Sequence, residues 1–169
     1  MKPGPKPDLQ SPSLALPKDM SSREIDQFLT CGRVGRLGMI LPEGGPYIVP
    51  VGYGYGDGKI YFHTCSEGLK MDILQTNPNV CFEVDESISD CSLAKSVIML
   101  GRAEIIADKK EMIPYLEKLI DKYRVPVTFG EYMRKGNRDV QEELKQVRIV
   151  LITPYKITGH KYVRKNGNF

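Results

Sequence analysis

A chain of 169 residues is expected to form one domain with a real core. Hydrophobic residues at 41% and charged residues at 27% are ordinary for a globular protein, and no apolar run reaches the roughly 18 residues of a membrane span. The net charge of +3 is dispersed and forms no basic stripe, which argues against a nucleic-acid partner.

The opening stretch, MKPGPKPDLQSPSLALPKD, is rich in proline and lysine and lacks an apolar h-region. It reads as a flexible arm over 1–19, with no signal peptide expected, and 20–169 as a single domain. Ser21 and Glu24 fit a capping box, and Ile25, Phe28 and Leu29 give the helix that follows, to about Thr30, an apolar face. Val34 to Leu41 reads as a strand, closed by the turn residues Pro42-Glu43-Gly44-Gly45-Pro46. Tyr47 to Tyr55 returns as a second strand, and Gly56-Asp57-Gly58 turns it into a third, Lys59 to Thr64. Pro50 inside the second strand predicts an edge position or a bulge, because proline donates nothing to a ladder.

Glu67 to Gln75 reads as a short helix stopped by Asn77-Pro78, and Val80 to Val84 as a fourth strand. A polar loop is expected over Asp85 to Lys95, then a long fifth strand from Ser96 to Ala107 with Gly101 as a candidate bulge. Asp108 caps a helix to about Tyr123, with Ile113, Leu116, Leu119 and Ile120 in one stripe. Val125 to Lys145 reads as loop with a short helix near Asp139 to Lys145, and Val147 to Ile157 as the last strand, with a tail from Thr158. Six short strands joined mostly by short turns favour antiparallel pairing and a mainly β barrel with peripheral helices.

The chemistry concentrates between Tyr47 and Asp72, where two strands end beside a helix start. Unpaired peptide N–H groups at a helix start favour an anion, and Lys70 adds a full charge, so a phosphorylated, nucleotide-like ligand is expected there. His63 closes the third strand at the same edge and could pass a proton near neutral pH. The glycines at 52, 54, 56 and 58 do not match a G-x-G-x-x-G fingerprint and fit a turn and close strand approach instead. Tyr53 and Tyr55 share one strand face and are expected in barrel or dimer packing. Cys31, Cys65, Cys81 and Cys91 form no C-x-x-C pair, so no metal site is expected. Reduced thiols in a cytoplasmic protein are the reading, with Cys65 a small, partly buried side chain. His160 is expected at the surface or in an interface.

The segments CGRVGRLGMI, PYIVPVGYGYGDGKIYFHTCSEGLKMDIL and NPNVCFEVDE resemble the FMN-binding split-barrel group related to pyridoxamine 5′-phosphate oxidase. Within that group the chain is most similar to the nitroimidazole-resistance (Nim) proteins. The resemblance implies a six-stranded antiparallel split barrel and a homodimer with FMN at the subunit interface. It implies that Pro50, Val51 and Gly52 lie along the isoalloxazine ring. By the same likeness Phe62, His63 and Thr64 line the ribityl and ring edge, Ser66, Leu69 and Lys70 hold the phosphate end, and His63 is the catalytic candidate. Where the oxidase branch has an arginine beside this lysine, the pair here is Leu69-Lys70, which disfavours pyridoxamine phosphate as substrate.

The expected function is FMN-dependent reduction of small electrophilic organic compounds, nitroaromatic or nitroimidazole compounds among them. The alternatives are a non-catalytic flavin- or haem-binding protein, and an enzyme like pyridoxamine 5′-phosphate oxidase itself.

Overall fold

The computed structural model describes residues 17–87, 93–124, 131 and 140–163. The chain enters through β1 (Lys18–Asp19) and α1 (Ser22–Cys31), then runs through β2 (Val34–Ile40), β3 (Pro46–Gly52), β4 (Gly54–Gly56) and β5 (Lys59–Cys65). It continues as α2 (Leu69–Thr76), β6 (Asn79–Ser87), β7 (Leu93–Ile106), α3 (Lys109–Tyr123), α4 (Val140–Lys145) and β8 (Val147–Val163).

Every ladder is antiparallel, and the sheet order is β3-β2-β6-β7-β8-β5-β4, with β1 laid against β8. The terminal members of that order, β3 and β4, are consecutive pieces of one extended run broken at Tyr53. One run therefore pairs with β2 through its first half and with β5 through its second, which curls the sheet into a split barrel. The expected Tyr47–Tyr55 strand is this run. Six long strands with few helices agree with the expected architecture.

Local chemistry accounts for the turns and caps. Ser21 Oγ accepts from Glu24 N at 3.4 Å while Glu24 Oε2 accepts from Ser21 N at 2.9 Å, the reciprocal capping box. Asp57 and Gly58 have φ values of 53° and 71°, as a two-residue hairpin with both central residues left-handed requires. Asp108 caps α3 by accepting from the amides of Lys110 and Glu111. At Gly101 the β7–β8 register shifts, leaving Tyr155 unmatched on β8, so the expected bulge is present.

Two apolar layers result. Leu37, Phe62, Phe82, Val97, Met99 and Ile152 belong to the cluster that fills the barrel. On the outer face of β5 and β8, Tyr61, Ile149 and Leu151 are covered by Met112 and Leu119 of α3 and by Leu144 of α4.

Several boundaries differ from the sequence reading. Lys18 and Asp19, placed in the arm, pair with Lys161 and His160, and Met20 is buried behind them; residues 1–16 lie outside the described residues. The expected loop Asp85–Lys95 is narrower, since β6 runs to Ser87 and β7 starts at Leu93. Polar residues on an outward face satisfied the ladder without an apolar signal. β8 likewise passes Ile157 and continues to Val163, because Gly159, His160 and Lys161 keep partners on both sides. Of the Val125–Lys145 segment, the helix near Asp139–Lys145 is found as Val140–Lys145, and most of the rest lies outside the described residues.

Candidate functional site

β5 and α2 build the corner that the sequence singles out. Strand alternation sends Phe62 and Thr64 inward, both buried, and His63 and Cys65 outward, both exposed. The exposure of Cys65 corrects the expectation of a partly buried side chain. It follows from the same alternation, which leaves Cys65 beyond the reach of α3. Ser66 leaves the sheet, its N–H donating to Gln146 O at 2.7 Å. Glu67 and Ser66 precede the helix, which starts two residues later than expected, at Leu69.

Gly68 is the N-cap of α2, with φ 112°, and no side chain caps the helix. A left-handed glycine here exposes the first-turn amides where Ser or Asp would normally occupy them. Lys70 then puts an ammonium in the first turn, where the helix dipole disfavours a cation, beside Asp72. Open amides and a lysine at one helix start form an anion seat. Lys70 Nζ lies 5.7 Å from the centroid of the Phe62 ring, whose face steadies it from below.

The pKa of His63 is lowered, first by desolvation among its neighbours and then by the Lys70 ammonium. The residue as a whole is exposed, so the neutral imidazole faces outward to solvent. Burial also lowers the pKa of Lys70, while Cys65 opposes the shift. An uncharged histidine beside a cation suits a site that receives a proton or donates a hydrogen bond next to an anion.

On β3, Pro50 and Gly52 face outward and Val51 is buried. β3 lies against β5, and the β4–β5 register that sets Gly54 opposite Tyr61, continued upstream, leads from Gly52 toward His63. Pro50 lies on an edge strand, as its missing N–H predicted: β2 is the one ladder partner of β3 among the described residues. Val51, Phe62 and Thr64 point into the barrel, so they can offer a ligand main-chain atoms only. His63, Ser66, Leu69 and Lys70 remain to offer side chains, and Leu69 is 50% exposed.

Further residues near β3 carried no signal in the sequence. Arg36 lies opposite Pro50 in the β2–β3 register and pairs with Asp85, with Glu83 at 3.8 Å. Tyr123 at the end of α3 bonds to Arg33 O, and Lys122 lies over the Tyr53 ring. These contacts join residues far apart in sequence, and no spacing rule reaches them. Tyr53 is fully buried with its hydroxyl donating to Leu29 O at 2.8 Å, and Tyr55 donates to Asp26 Oδ1 at 2.5 Å. Both tyrosines serve barrel packing, as expected. His160 is exposed, with Nδ1 3.1 Å from Asp19 Oδ1.

Two cavities of about 350 and 310 Å³ lie along α1 and share Phe28, Cys31 and Glu86. Neither is lined by the predicted flavin residues. Among the described residues no cluster of His, Cys, Asp or Glu is placed to hold a metal, and no helix is long and apolar enough to cross a membrane.

Residues 21–161 match the family described as pyridoxamine 5′-phosphate oxidase. The chain belongs to this family. Among solved structures, it is similar to a candidate 5-nitroimidazole antibiotic resistance protein from Bacteroides thetaiotaomicron, with TM-score 0.70 and 22% identity, covering 88% of this chain and 90% of that one. An FAD-binding protein from Mesorhizobium loti gives TM-score 0.66 and 24% identity over 87% of this chain and 99% of that one. An F420 reductase gives TM-score 0.58 and 20% identity over 78% and 94%. At these identities the likeness is one of fold. Among proteins with curated functions, none matches the chain. Membership in the pyridoxamine 5′-phosphate oxidase family, with flavin-binding neighbours, supports a flavin-type cofactor.

Proposed function

We propose that this protein is an FMN-dependent reductase of small electrophilic organic compounds, with nitroaromatic and nitroimidazole compounds as the substrate class. The observation that carries the reading is the α2 start: uncapped amides and Lys70, with neutral His63 at the adjacent strand end. That donor set fits a flavin phosphate and the polar edge of its ring. Bound there, FMN would supply hydride transfer.

The chain's own residues have separate tasks in this reading. Lys70 and the Leu69 and Lys70 amides hold the phosphate, Ser66 adds a hydroxyl, and exposed Leu69 covers the ribityl side. Pro50 and Gly52 present a flat surface without a long side chain to a ring plane. His63 donates a hydrogen bond to the substrate, and its lowered pKa weights the neutral form that does so at pH 7.

The same reading has two copies of the chain enclosing FMN at their interface, in the cytoplasm. In support, the outer sheet face presents Val34, Ile40, Ile48 and Ile98 at 50%, 47%, 66% and 39% exposure, an unusual density of apolar side chains for a free surface.

The test is the absorption spectrum of the purified protein and of the supernatant after heat denaturation. Flavin bands released by heat, followed by turnover of a nitroaromatic with NADH or NADPH that falls in His63→Ala, would support the reading. Protein that stays colourless and takes up no added FMN would sink it. A flavin that binds without turnover would leave a carrier or sensor in place of the reductase.

A further inference from the structure

Where one run of chain leaves one ladder for another, its backbone groups lose regular partners and must find others. Here that point is Tyr53, between β3 and β4, and its partners come from Arg33, between α1 and β2, and from Tyr123 at the end of α3. Tyr53 N donates to Arg33 O at 3.3 Å. The Tyr123 hydroxyl donates to that same Arg33 carbonyl and lies 3.4 Å from Tyr53 O. Arg33 Nη2 returns a bond to Tyr123 O at 3.3 Å, and its guanidinium carbon lies 5.2 Å from the centroid of the Tyr123 ring. A Cβ on Gly52 would sit 2.8 Å from the Tyr123 hydroxyl oxygen, so the two groups are in contact with no space between them.

We infer that Tyr123 is a positioning residue for the cofactor strand: its hydroxyl fixes the Gly52–Tyr53 junction and thereby sets how far Pro50–Gly52 reach toward the flavin. The inference rests on the flavin reading above. β3 has β2 as its single ladder partner among the described residues, and at its Gly52 end the Tyr123 hydroxyl supplies the contact beyond that ladder. α3 is a covering helix whose buried face belongs to the outer apolar layer. Tyr123 thus ties the outer layer to the strand that the ligand would touch.

The experiment uses Tyr123→Phe, which keeps the ring and removes the hydroxyl. Amide hydrogen exchange of the apoprotein is followed over residues 49–56, and FMN is titrated by fluorescence into variant and wild type. The expected result is exchange raised about fivefold or more over 49–56, with β7 unchanged, and FMN affinity weakened by about the same factor. Gly52→Ala, which pushes on the hydroxyl from the other side, should raise exchange over the same segment, and it decides the question if Tyr123→Phe does not fold. Exchange that is unchanged, or raised evenly over the barrel, overturns the inference. A local rise with unchanged FMN affinity also overturns it, leaving a brace with no effect on the ligand. Wild-type protein that binds no FMN overturns the flavin reading, and the positioning role with it; the wild-type titration alone identifies that case.

Discussion

The Lys122 ammonium lies 4.2 Å from the centroid of the Tyr53 ring, with its nitrogen buried and without a hydrogen-bond partner. Burial pushes its pKa down to about 8, with Cys31 opposing the shift and Arg33 adding to it. The unfolded chain keeps an ordinary lysine near 10.5, so it binds more protons than the fold between about pH 8 and 10.5, and stability rises with pH across that window. An unpartnered buried donor costs about 1–3 kcal/mol, and the ring face returns about 1–2 kcal/mol. Lys122→Met is therefore expected to stabilise the protein by roughly 1 kcal/mol at pH 7 and to remove the rise. Thermal unfolding at pH 7 and pH 10 checks this. An equal difference between variant and wild type at both values would show that the ammonium is not desolvated.

Lys70→Gln is expected to weaken FMN binding by about 10- to 100-fold, the range of a charge-assisted hydrogen bond, and to flatten its salt dependence. Fluorescence titration at two ionic strengths reads both effects. An affinity within twofold of wild type would remove Lys70 from the phosphate site.

His63 has a lowered pKa in the fold, so the unfolded state takes up a proton first as pH falls. Its contribution is complete above about 6.5 and is lost as pH drops from there through the lowered folded value. Replacing it in His63→Gln should shallow the acid limb of a Tm profile between pH 5 and 7. If the two profiles run parallel, the imidazole is not held neutral by its surroundings.

Gly54 and Gly56 give a matched pair. A Cβ at Gly54 would lie 2.2 Å from the Tyr61 ring, whereas at Gly56 the nearest atom is 3.9 Å away. Gly54→Ala should cost about 1–3 kcal/mol by overpacking, and Gly56→Ala well under 1 kcal/mol. Equal midpoints in urea would contradict the packing of Tyr61.

Ser21→Ala removes half of the capping box and should cost about 1 kcal/mol, a fall of roughly 2–4 °C in Tm. Ser22→Ala, one position inside the helix, is the control. A loss as large in the control would show that the cap is not what anchors α1.

Much of this fold was legible because its signals are local. The Ser21–Glu24 cap, the Asp57-Gly58 hairpin, the Asp108 cap and Pro50 at an edge each depend on a few neighbouring residues. His63 and Lys70 were legible as a pair for the same reason, since one strand end and the next helix start carry both. The β6 and β8 extensions were not legible, because Asp85–Ser87 and Thr158–Val163 mix polar and apolar residues on faces that the ladder alone holds. Nor were Arg33, Lys122 and Tyr123, whose meeting at Tyr53 depends on where α3 docks.

The two prolines of β3 have a consequence for how copies of this chain can join. Pro46 and Pro50 leave the outer strand without two of its donors, so another strand laid along it would meet gaps in the ladder. Growth by strand addition, the route to open fibrils, is poorly served at this border, and association through side chains on the sheet face is left as the better-matched geometry.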